Sequence, residues 1–297
     1  MLCWSNLYIS IQIFSERSLF MKRIFVAIAL VLATVCAAGS VSAGEKCCQP
    51  VLERDNVGRI GLDNLNQGWF APALRGHGHA LPLVHGFLTE TAFSHRALIA
   101  DVASIDGEET LSVEADIPLT RRLSALVEMP VALDVGDESG FGDLQVGLRA
   151  IWSEQETYTI SSILNVGLPT GEDEFTLDEV SLGFSFNNWW YIGSGFAVQS
   201  SVGMSWVPEI DDTETFDWAF MVSKTFDCGL NLFGSNRPMS VFAEVAGSTP
   251  FDGDLDTVGQ WGLGLNVPMW NSLDLRLGYY HSFEDEDGIT LGAVWEF

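Results

Sequence analysis

From residue 108 to the end of the chain, apolar side chains return at every second position. Leu111, Val113, Ala115 and Ile117 share one parity. The same pattern runs through 123–133, 144–152, 158–168, 180–186, 196–206, 216–222, 241–245, 261–267, 273–283 and 289–297. A period of two puts successive side chains on opposite faces of a strand, whereas a helix would repeat at 3.6. Eleven strands are therefore expected, and residues 83–94, with Leu83, Phe87 and Phe93, are expected to supply a twelfth.

The opposite parity is small or polar. It carries Glu114, Asp116, Glu128, Asp143, Arg149, Asn165, Glu244, Asp274 and Arg276, with Gly147, Gly262 and Gly264 between them. A soluble sandwich would alternate too, but its strands usually run five or six residues. Segments of about ten residues suit a tilted membrane crossing. Aromatics gather near strand ends, at Trp152, Tyr158, Trp189, Trp190, Trp206, Trp270 and Tyr279, as girdles do. The final residue, Phe297, closes an alternating strand and resembles the sorting signal of bacterial outer-membrane barrels. The expected fold is all-β, an antiparallel transmembrane outer-membrane barrel of about twelve strands, with short periplasmic turns and acidic extracellular loops.

Charge follows the connections. With the C-terminal end on the periplasmic side, the outer loops are 95–107, 134–140, 169–177, 206–214, 249–256 and 284–287. They hold 19 acids and one base, Arg96. The inner turns, 118–122, 154–156, 187–195, 227–238 and 269–271, hold three acids and three bases.

The N-terminus reads as an address. Met21-Lys22-Arg23 opens a basic region, Ile24 to Val35 is apolar, and Val41-Ser42-Ala43 is a small-x-small cleavage site. Residues 1–43 are thus expected to be a signal peptide, with translation starting at Met21. Segment 44–82 is periplasmic or lumenal, and 83–297 is the barrel. The apolar run is too short to span a bilayer. The five cysteines, with Cys47 and Cys48 adjacent and Cys228 alone, form no disulfide framework. The whole chain carries a net charge of −26, yet 47% of it is hydrophobic. That apolar content excludes disorder, and the lack of Lys and Arg argues against nucleic acid.

Gly140-Phe141-Gly142-Asp143-Leu144, followed by Gly167-Leu168-Pro169-Thr170-Gly171, forms a pair of motifs. The pair resembles that of the outer-membrane barrels assigned as transporters of the meta-pathway of phenol degradation. The resemblance covers about residues 83–297. It implies a porin-like barrel that passes small solutes, including small organic compounds, and it implies no catalytic residues.

Two functions fit these residues. The first is a porin-like channel or transporter for small solutes. Its lumen would carry Glu114, Asp116, Glu128, Asp143, Glu244 and Asp274 against Arg149 and Arg276, and rings of carboxylates favour cations. The second is a non-conducting surface-binding or structural barrel. Its acidic loops, at Asp211, Asp212, Asp252, Asp254, Glu284, Asp285, Glu286 and Asp287, would hold divalent cations. None of these clusters has the spacing of a calcium loop. An enzyme is not expected: there is no Gly-x-Ser-x-Gly elbow, and His281 and Ser282 lie on opposite faces. His77-Gly78-His79 lacks the spacing of a zinc site, so no metal and no cofactor are expected. The expected partners are outer-membrane lipid, the barrel-insertion machinery and small solutes.

Overall fold

The computed structural model describes residues 86–136, 138–155, 157–210, 213–226, 238–251, 257–270 and 272–296. Segments 1–43 and 44–82, Phe297, Asp211, Asp212, Asp252 and Asp254 lie outside the described residues.

Among the described residues, thirteen strands form a single antiparallel sheet: β1 (Ala97–Ile105), β2 (Glu108–Pro118), β3 (Leu123–Val135), β4 (Glu138–Phe141), β5 (Leu144–Glu154), β6 (Tyr158–Leu168) and β7 (Ser181–Gly193) come first. They are followed by β8 (Phe196–Trp206), β9 (Thr215–Phe226), β10 (Met239–Pro250), β11 (Val258–Trp270), β12 (Leu273–Ser282) and β13 (Asp287–Glu296). Each long strand pairs with its sequence neighbours, and β1 pairs with β13, so the sheet closes on itself. β4 and β5 both pair with β3 and are two parts of one barrel strand, broken at Gly142-Asp143. The circuit is therefore a closed barrel of twelve strands. Closure leaves no free sheet edge, which a β protein in lipid requires.

The alternation sets the two faces. Along β5, Val146, Leu148 and Trp152 point outward and are exposed, while Gly147, Arg149 and Ile151 are buried inside. Phe186, Trp190, Phe220, Leu263 and Leu291 continue the outward apolar belt. Ser162 interrupts that belt, and the Trp152 indole N–H donates to its hydroxyl at 2.9 Å. The polar atom is thereby shielded from hydrocarbon.

Three expectations need correction. The twelfth strand is Ala97–Ile105, not 83–94, and the expected outer loop 95–107 shrinks to Asp106-Gly107. Both turn residues have positive φ, 49° and 93°, as a tight hairpin turn demands. Asp-Gly is itself a hairpin signal, which a count of apolar alternation passes over. The expected inner turn 187–195 is likewise only Ser194-Gly195, because β7 continues to Gly193. Trp189, expected in an aromatic girdle, faces inward at 2% exposure.

Candidate functional site: the barrel lumen

Charged groups on the inner wall are joined by bridges that skip a strand. Arg276 on β12 pairs with Asp101 on β1, its Nε donating to Oδ1 at 2.9 Å. Gly292 of β13 lies between them, in register with both. Glu244 on β10 accepts from the Tyr280 hydroxyl on β12 at 2.6 Å, across Gly262 of β11. A Cβ at Gly262 would collide with the Tyr280 ring, so glycine is what lets the ring lie along the wall. Arg149 on β5 pairs with Asp116 on β2, and both are fully buried. Such pairing is what keeps charges tolerable in a dry interior.

The lumen is not empty. Residues 86–96 run inside the barrel before the chain enters β1. Glu244 accepts the main-chain N–H groups of Phe87 at 3.0 Å, Leu88 at 3.0 Å and Thr89 at 3.2 Å. Arg276 donates to the Gly86 carbonyl at 3.1 Å, and its guanidinium lies 4.5 Å from the centre of the Phe87 ring. Phe87 also packs on Phe242 and Tyr280. At the far end of the segment, Arg149 donates to the Phe93 carbonyl at 2.6 Å. The Phe93 ring meets Trp189 edge-on at 5.5 Å, in a buried cluster with Ala92 and Ala197. His95 sits 3.7 Å from Asp116.

Beside this segment remains a cavity of about 20 Å³, lined by Glu90, Glu114, Glu128, Gln145 and Asn165 with Leu126 and Gly147. That is room for roughly one water. Glu128 accepts from the Ser112 hydroxyl. Glu90 lies 3.4 Å from Arg149. Asp274 is buried on the inner face of β12, two residues from Arg276.

Asp143, expected to line the lumen, instead pins an end loop. Its carboxylate accepts from Thr170 N at 3.1 Å, Gly171 N at 3.0 Å and Leu177 N at 3.0 Å. Leu144 N donates to the Thr170 hydroxyl, and Glu172 N to the Phe141 carbonyl. The two motifs singled out in the sequence are thus each other's binding partners, joining the β4–β5 break to the loop after β6. Asp143 lies in the break between β4 and β5, where the loop's N–H groups are its partners.

At the same end of the barrel lies the turn after β12. Asp287 accepts from the Tyr279 hydroxyl, and His281 Nδ1 is 3.1 Å from it. Glu284 and Asp285 are exposed. Burial, with Asp106, Glu284 and Glu108 nearby, raises the Glu286 carboxyl above its ordinary pKa. Among the described residues, no three carboxylate, histidine or cysteine groups converge as metal ligands.

Sequence reasoning missed Glu90, which fell in the expected strand 83–94, Asp101, which fell in the expected loop 95–107, and the inward aromatics Tyr280 and Trp189. Asp101 was legible in principle, since the Asp106-Gly107 turn fixes β1 and hence its parity.

The fold is shared with solved outer-membrane proteins. A KdgM porin matches with a TM-score of 0.52 at 7% identity, over 68% of this chain and 99% of that one. A NanC porin matches with 0.52 at 9% identity, over 67% and 100%. An outer membrane channel from Pseudomonas putida F1 matches with 0.51 at 13% identity, over 73% and 100%. Comparison with curated proteins finds no match. A family model described as "Putative MetA-pathway of phenol degradation" matches residues 95–295, which run from the approach to β1 to within one residue of the end of β13, and the chain belongs to that family.

Proposed function

We propose that this protein is a bacterial outer-membrane channel for small solutes, one that favours cations and is exported with a cleaved signal peptide. The observation that carries this reading is the lumen charge. The inner wall and the segment within it bring Glu90, Asp101, Glu114, Asp116, Glu128, Glu244 and Asp274 against Arg149 and Arg276. Carboxylates that outnumber guanidiniums inside a closed barrel attract cations and repel anions. The solved porins that share this fold support passage of solutes, and the family description supports small organic compounds among them. No catalytic role is assigned to any residue.

The test is conductance of the refolded mature chain, residues 44–297, in a planar bilayer under a potassium chloride gradient. Discrete current events with a reversal potential on the cation side are expected. An anion-side potential would overturn the cation preference. A folded barrel that passes no current in any variant would favour the second reading, a surface-binding or structural barrel. Segment 86–96 inside the lumen is the observation on that side.

A further inference from the structure

Resting on the channel reading, we propose that residues 86–94 are a releasable internal strap that closes the lumen, and that the barrel conducts when it withdraws. The strap crosses from one wall to the other. Gly86 to Thr89 lie against β10 and β12 through Glu244, Phe242, Arg276 and Tyr280. Phe93 lies against β5 and β7 through Arg149 and Trp189. No residue of the strap belongs to a strand, so no sheet pairing holds it.

Its anchors are built so that departure leaves no charge stranded. Glu244 keeps the Tyr280 hydroxyl, Arg276 keeps Asp101, and Arg149 keeps Asp116. A buried charge that loses its only partner is strongly destabilising. Here each wall group has a wall partner already, so release exposes paired groups to entering water. The wall reads the strap mostly through its main chain, three N–H groups and two carbonyls, together with two phenyl rings. The closed and open arrangements are then two states of one barrel whose balance the anchors set. The strap stays tied to β1 through Ser94 to Arg96, so it swings and is not lost.

The experiment is single-channel recording of the refolded mature chain with two variants. The first is Glu244→Gln with Phe87→Ala, which weakens the three N–H contacts and empties the aromatic pocket. The second is Ala92→Cys with Ala197→Cys, two members of one buried cluster, in a background where Cys47, Cys48 and Cys228 are serine. Wild type is expected to open rarely. The first variant should raise the open probability by about tenfold or more, the change in equilibrium that a lost charge-assisted hydrogen bond produces. The oxidised tether should abolish openings, and dithiothreitol should restore them. Cation-selective current that neither variant alters would overturn the strap and leave the channel standing. Silence from every folded variant, reduced tether included, would overturn both.

Discussion

Arg149 is buried among Asp116, Glu90 and the Phe93 carbonyl, and its position decides what its loss would do. Arg149→Met leaves Asp116 without its strongest partner in a dry lumen. Removing one member of a buried pair costs about 3–5 kcal/mol. The double variant Asp116→Asn, Arg149→Met should recover most of that loss, because both charges are gone. Urea unfolding in lipid vesicles measures the difference, and a single variant as stable as wild type would show that water screens the pair. Glu286 gives a second test at this scale. Its folded pKa is raised, chiefly by burial, so the folded state holds a proton that the unfolded chain releases at lower pH. By linkage, the group's contribution to stability falls as pH rises from about the ordinary value of 4.5 and stays unfavourable above the folded value. Glu286→Gln should therefore match wild type at pH 4 and exceed it at pH 8. Parallel unfolding curves across that range would mean the carboxyl is fully solvated.

Across elements, the inner wall depends on glycine in the strand between two partners. Gly262 separates Glu244 from Tyr280, and Gly292 separates Asp101 from Arg276. Gly262→Ala should push the Tyr280 ring off the wall and cost about 1–3 kcal/mol, the usual penalty of overpacking. Heat-modified mobility on a gel reads the loss, and an unshifted melting point would mean the ring has room to turn. The alternation that placed these strands was legible because lipid enforces apolar residues on one parity over eleven segments. That successive connections alternate between the two ends was legible for the same reason, since each crossing reverses the chain. The partners across the wall were not. Asp101 and Arg276 are 175 residues apart in sequence, and nothing local ties them together. Segment 83–94 was misread because Leu83, Phe87 and Phe93 look like a strand's apolar face. Phe87 and Phe93 instead fill aromatic pockets inside the lumen, which follow no period. Asp143 was read as a strand residue because an interruption of the strand at Gly142-Asp143 has no signature in parity alone.

Taken whole, the molecule carries its charge asymmetrically along the barrel axis. The connections at the end that holds the Asp106-Gly107 turn contain 17 acids and no Lys or Arg, while those at the opposite end contain two acids and three bases. On the proposed channel function, cation preference would have two sources in series, the acidic mouth and the lumen carboxylates, and salt separates them. Mouth charges sit in water and are screened over about 10 Å at 0.1 M and about 3 Å at 1 M. Lumen charges lie in a narrow, low-dielectric space where screening is weaker. The ratio of potassium to chloride permeability, measured on open events, should therefore fall from about 10 mM to about 1 M salt without reaching unity. What remains at high salt belongs to the lumen. Neutralising the wall residues Glu114 and Glu128 together to glutamine should lower that remaining selectivity and leave the low-salt preference in place, since neither lies in the mouth loops. Asp116 is left alone because it balances Arg149, and its removal would test folding and not permeation. A double variant whose selectivity matches wild type at 1 M would show that these two carboxylates do not set it.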